Sequence, residues 1–165
     1  MAWQRNGTPD TLSGSGDVLE ISDLTPLEFN VFLSNNIAAS AIPQAFIRFG
    51  SSSADTGNNY SYRISLNGAT DATTVSTSSI GFEPLSGSND SSFGIIFAFN
   101  LAAEEKLTIE FNVSGNSGGA PTAPNRQETV GKWVNTSDQF DVVNLFNGNT
   151  GDYATNSNLS ALGTD

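Results

Sequence analysis

The sequence predicts an all-β fold, an antiparallel β-sandwich of about nine or ten strands with jelly-roll wiring, and three observations carry that expectation. Gly, Ser, Asn and Thr fill 71 of the 165 positions, and these are the residues of turns and short polar loops. Good helix formers are scarce, with seven Glu, two Lys and one Met. Apolar residues recur at every second position in short runs that stop at Gly, Pro or Asn, which is the period of a half-buried strand.

Taken in order, the first strands are Asp17 to Ile21 and Leu27 to Leu33, separated by a turn cluster that ends at Pro26. The second run sets Leu27, Phe29, Val31 and Leu33 on one face and Glu28 and Asn30 on the other. Ala45 to Phe49 closes at Gly50, and Tyr60 to Leu66 closes at Asn67-Gly68, a hairpin turn pair. The Thr/Ser-rich stretch 69–80 predicts a weak edge strand. Phe93 to Leu101 is the most apolar run and reads as a central strand. Leu101 to Lys106 is the single helical candidate, one turn long. Lys106 to Val113 alternates again, with Leu107, Ile109, Phe111 and Val113 expected to face inward. A Gly/Pro-rich loop is expected at 114–127, then strands near 128–134, 139–146 and 159–162. Phe29, Val31, Leu33, Phe97, Ile109, Phe111 and Leu145 are the expected core. Tyr60 and Tyr62 share a face with Ile64 and Leu66, so packing is their expected role. The length suits a single domain, residues 1–165, with an N-terminal segment 1–16 and no internal repeat.

Composition narrows function by exclusion. Six Lys and Arg stand against 17 Asp and Glu, a formal charge of −11. A chain this acidic repels a phosphate backbone and an anionic membrane surface, so neither nucleic acid nor membrane is an expected partner. No stretch approaches the length of a membrane-spanning apolar run, and the first residues contain no apolar signal-peptide core. Synthesis in a host cytoplasm without a signal peptide is the expectation.

Histidine and cysteine are both absent. That removes Ser-His-Asp and Cys-His nucleophile systems, thiolate chemistry, disulfides and His/Cys zinc sites. Paired carboxylates remain conceivable, with Glu20, Glu28 and Glu110 on the polar sides of strands. Seventeen acids on a small surface produce such pairs by accident, and no enzyme is expected. Asn147-Gly148-Asn149-Thr150-Gly151-Asp152 loosely echoes a calcium loop but lacks its leading acids and closing Glu. Neither metal nor cofactor is expected. Exposed aromatics would point to a sugar platform, for which Trp3, Tyr60, Tyr62, Trp133 and Tyr153 are the candidates.

A frame of short stretches runs along the chain: Trp3 with Gly7-Thr8 and Leu12, Ile47-Arg48-Phe49, Asn59 to Arg63, Glu104 to Leu107, Ala123 to Arg126, Gly131 to Asn135, Gly151 to Ala154, and Gly163-Thr164-Asp165. Together they resemble small β-sandwich virion structural proteins of tailed bacteriophages. The resemblance spans nearly the whole chain and rests on scaffold positions, none of them a catalytic signature. It implies a virion protein, and an acidic compact domain suits the outer capsid surface as a decoration, or cement, protein. A phage tail, fibre or receptor-binding component and a carbohydrate-binding β-sandwich module are the alternatives. The partners then expected are the major capsid protein and further copies of the chain, as a homotrimer at threefold lattice positions. Trp3 and Arg5 in the N-terminal segment, and Pro121, Pro124 and Arg126 in the long loop, are the expected contacts.

Overall fold

The computed structural model describes residues 2–84, 90–115 and 119–165. Among these no residue is helical, and fourteen strands form. They are β1 (Gln4–Arg5), β2 (Asp10–Thr11), β3 (Val18–Ile21), β4 (Phe29–Ser40), β5 (Gln44–Gly50), β6 (Tyr60–Leu66) and β7 (Ala72–Thr77). The rest are β8 (Ile80–Pro84), β9 (Ser91–Phe99), β10 (Lys106–Ser114), β11 (Asn125–Trp133), β12 (Val142–Asn147), β13 (Asp152–Tyr153) and β14 (Asn158–Thr164). They build two antiparallel sheets. The larger has ten strands in the order β1-β14-β4-β9-β10-β11-β6-β7, with β13 against β4 and β2 against β14. The smaller runs β3-β12-β5-β8 and covers part of the large sheet. An antiparallel sandwich is what this order establishes; jelly-roll wiring is a finer assignment than it carries.

Local chemistry explains the connections. Asn67 and Gly68 both take positive φ (52° and 77°), the geometry of a tight hairpin, and join β6 to β7. Ala103 also sits at positive φ (65°), which a right-handed helix cannot contain, so 101–106 forms a turn and not the expected helical one. The Thr/Ser-rich stretch divides: β7 closes the edge of the large sheet, and β8 crosses to pair with β5.

The expected long loop is shorter than its composition suggests. β10 runs to Ser114 opposite Asn125, so the excursion is a hairpin connection over 115–124, of which 116–118 lie outside the described residues. Asn67 fastens its base: its Nδ2 donates to Asn125 Oδ1 at 3.0 Å, and its Oδ1 accepts from the Arg126 amide at 2.9 Å. The N-terminal segment is likewise tied in, because β1 and β2 both pair with the C-terminal β14.

Between the sheets lies the core. Leu19, Ile21, Ile47, Phe49, Val143 and Leu145 of the small sheet meet Phe32, Ile96, Ala98, Leu159 and Ala161 of the large one. Phe32 lies 6.0 Å from both Phe49 and Phe140, which are themselves 4.8 Å apart. β8 approaches the large sheet closely because two of its neighbours lack a side chain. A Cβ on Gly94 would stand 2.2 Å from the Phe82 ring, and one on Gly131 would stand 2.7 Å from Ile80.

The expected core is corrected in one systematic respect. Phe29, Phe97, Ile109 and Phe111 point outward, exposed by 40%, 46%, 51% and 50%. Leu107 and Val113 join them, and Val31 and Leu33 are only partly covered. Of the seven residues expected inside, Leu145 alone is fully buried. On β4, β9 and β10 the period is as read and the assignment of faces is inverted; β1, β2, β8 and β13 are strands beyond those expected. On β10 the buried row is Lys106, Thr108, Glu110, Asn112 and Ser114.

Candidate interaction face

Register places the outward side chains of the large sheet in rows that cross the strands. One row runs Leu162, Val31, Phe97, Ile109, Val130, and continues to Arg63 and Thr73 on β6 and β7. The next runs Leu33, Ile95, Phe111 and Glu128, and a third holds Phe93, Val113 and Arg126. Phe29 pairs with Phe99 at a ring separation of 6.0 Å, and together with Trp3, Phe97, Leu107 and Ile109 they line a depression of about 250 Å³. The result is a continuous apolar block over β14, β4, β9 and β10. Isolated exposed apolar residues are ordinary, but a contiguous patch of this extent marks a contact surface.

Charge is distributed around that block unevenly. Arg126 lies 3.5 Å from Glu128, and Lys132 lies 2.9 Å from Glu105. Arg63 and Asp71 line a shallow depression beside Ile109 and Phe111, and Arg5 stands opposite Leu162 at the far edge. Thus four of the chain's six basic residues border the outer face, with three acids among them. The strongly negative balance lies elsewhere on the molecule. A broader groove of about 560 Å³ runs along β6, β7 and β11, with Arg63, Thr73 and Lys132 above a floor of Leu107, Ile109 and Val130; Tyr62 turns to the other side of β6 and packs against Gly81 and the core, as expected.

The opposite side of the same strands is polar and buried. The Thr108 hydroxyl donates to Glu110 Oε1 at 2.8 Å, and Gln127 Nε2 donates to the Phe82 carbonyl. Glu110 Oε2, Asn112 Nδ2, Gln127 Oε1 and Ser34 Oγ have no hydrogen-bond partner among the described residues. Burial pushes the Glu110 carboxyl up to about 8, with the Thr108 hydrogen bond opposing, so Glu110 is held neutral near pH 7. Burial also lowers the Lys106 ammonium, which donates to the Glu104 and Asn135 carbonyls at 2.7 and 2.9 Å.

The sequence-derived contact residues fall on different parts of this arrangement. Trp3 is exposed beside Phe29 and Phe97, and Arg5 and Arg126 stand at opposite margins of the outer face. Pro121 and Pro124 are exposed in the β10–β11 connection. Phe93, Leu107, Val113 and Val130 were not singled out as contacts, although the sequence held a signal. The polar row that alternates with them on β10 is mostly small and neutral, as suits an interior better than a solvated face.

The other candidates have structural roles. Trp133 is buried, its Nε1 donates to Asp55 Oδ2 at 2.7 Å, and its ring stacks on Tyr60 at 6.4 Å. Tyr60 in turn donates to the Phe49 carbonyl at 2.8 Å, and Tyr153 is also buried. Asn147 accepts from the Gln44 and Asn149 amides and donates to Asp17 and Gly151, so its side chain fastens strand ends. Glu20 accepts from Asn144 at 2.8 Å. Among the described residues no group of three acids is placed to hold a metal ion.

No protein-family model and no curated protein matches the chain. Solved structures give distant matches. An alginate lyase bound to an alginate trisaccharide aligns at 7% identity and a TM-score of 0.31, over 96% of this chain and 80% of the lyase. The CBM2 module of the evolved Dit protein of Lactobacillus casei BL23 phage J-1 aligns at 8% identity and 0.25, over 90% and 70%. A high-affinity mannose-binding lectin of Ralstonia solanacearum aligns at 13% and 0.11, over 76% and 94%. At these scores the similarities bear on neither activity nor ligand.

Proposed function

We propose that this chain is a non-enzymatic structural subunit of a virion, and that it serves as a capsid decoration protein on the outer shell of a tailed phage. One observation carries the assembly part of the reading: the broad apolar face of the large sheet, which a protein working alone in water would not leave open. The virion part rests on the sequence resemblance, and the acidic balance of the remaining surface suits the outside of a capsid better than its DNA-filled lumen. The major capsid protein and further copies of the chain are the proposed partners.

Gold-labelled antibody against the chain, applied to purified particles of the encoding phage, tests this reading. Label over the head surface is the expected result. Label at the tail tip would select the tail or fibre alternative, and particles without label would overturn the virion reading.

A second reading, a carbohydrate-binding module, is favoured by the groove along β6, β7 and β11, where donors from Arg63, Thr73 and Lys132 stand above an apolar floor. Saturable calorimetric binding to one member of a glycan panel, lost on Arg63→Ala, would establish it.

A further inference from the structure

We infer that the apolar face of the ten-stranded sheet is covered by a second copy of this chain, the two sheets packed face to face about a twofold axis. This rests on the reading of the face as an assembly surface and names its occupant.

Area is the first argument. At the observed exposures each large side chain of the block leaves roughly 60–100 Å² to solvent. The ten that are exposed on this face therefore open about 600–1,000 Å², which brackets the ~800 Å² per partner of a stable interface.

Charge is the second. The molecule carries −11, so most approaches of two copies are repulsive. The outer face is the exception, because Arg5, Arg63, Arg126 and Lys132 gather at its margins against only Asp71, Glu105 and Glu128. Two copies meeting there bury the neutral block and leave their acidic surfaces turned away.

Shape is the third. Sheets of the same twist stack in register at about 10 Å, the packing found between the layers of a sandwich. The same face on a second copy has that twist by identity. A twofold pair also differs from the homotrimer expected from lattice position, and mass decides between them.

The test uses the full chain. Sedimentation velocity at micromolar concentration should give twice the 17.3 kDa of the chain. Phe97→Lys with Ile109→Lys should weaken self-association at least a hundredfold while leaving the far-ultraviolet spectrum unchanged. Val18→Lys, exposed on the small sheet, should leave it intact. Because the chain has no cysteine, single changes along one row, Phe97→Cys, Ile109→Cys and Val130→Cys, provide a second readout. At least one should form a disulfide-linked dimer under mild oxidation, and Val18→Cys should not.

A wild-type monomer at tens of micromolar would overturn the inference, as would a trimer, or a dimer indifferent to the Lys substitutions. Flotation of the chain with phosphatidylcholine vesicles, lost in the Lys variant, would also overturn it by assigning the face to lipid. A monomer that decorates particles through this face would remove the inference and leave the virion reading standing. A dimer absent from particles would do the reverse.

Discussion

Phe97 and Ile109 stand directly opposite each other across the β9–β10 ladder, and each leaves about half of its surface in solvent, 46% and 51%. A cross-strand apolar pair normally closes a core. Here it opens a face, and the energetics of the monomer follow from that inversion.

Substitution should therefore cost little outside and much inside. Phe97→Thr or Ile109→Thr should change monomer stability by less than about 1 kcal/mol. Phe32→Ala, at the meeting point of Phe49 and Phe140, should cost about 3–5 kcal/mol. Urea denaturation at a concentration where sedimentation shows only monomer separates the two classes.

Stability should decline with rising pH because of Glu110. Its folded carboxyl is pushed up to about 8 from an ordinary 4.5. Between those values the native state keeps a proton that the unfolded chain releases, so unfolding becomes more favourable as pH rises. The contribution is complete below 4.5 and lost by the time pH passes 8. Glu110→Gln should flatten that part of the profile and stabilise the protein by about 1–3 kcal/mol at pH 8.5. Thermal melts of both proteins from pH 4 to 9 check it.

Asp55 should act with the opposite sign. Burial raises its carboxyl, but hydrogen bonds from Trp133, Asn59 and the Gly57 amide prevail and hold it below its ordinary 3.8. Its stabilisation is present above 3.8 and lost as pH falls through the lowered folded value. Asp55→Ala should leave the buried indole N–H without its acceptor, at about 1–3 kcal/mol. The expected mark is a fluorescence change from Trp133 together with a lower urea midpoint.

Gly94→Ala should overpack the sandwich. The added carbon would meet the Phe82 ring and the Ser34 hydroxyl, both of them buried. A loss of about 1–3 kcal/mol is expected. In the double variant with Phe82→Leu the loss should shrink, which a mutant cycle measures.

Added salt should strengthen self-association or leave it unchanged. The contact is apolar, and the long-range term between two acidic copies is repulsive, so screening favours the pair. Sedimentation in 0.1 and 1 M sodium chloride checks this; a dimer dissolved by salt would assign the contact to marginal ion pairs such as those of Arg126 and Lys132.

What the sequence determined by itself was the place of the main strands. Tyr60 to Leu66, Lys106 to Val113 and the Asn67-Gly68 turn lie where period and turn chemistry put them, because these signals are local; the short β1, β2 and β13 and the crossing β8 carry no such period. The edge placement of the Thr/Ser-rich stretch was legible for the same reason, since β7 does close the large sheet. Tertiary structure decided which side of each strand is the inside. Period-two alternation assigns Thr108, Glu110 and Asn112 to one face and Ile109, Phe111 and Val113 to the other, but it is symmetric under exchange of the two. The rule that apolar means buried breaks that symmetry only when the chain's own core takes the apolar rows. In this fold the small sheet lies over the polar side of β10, and the apolar rows of Phe97, Ile109 and Phe111 face out. The physical reason is distance along the chain: β8, which covers that polar side, reaches it only through non-local contacts with Gly131, Gln127 and Thr129.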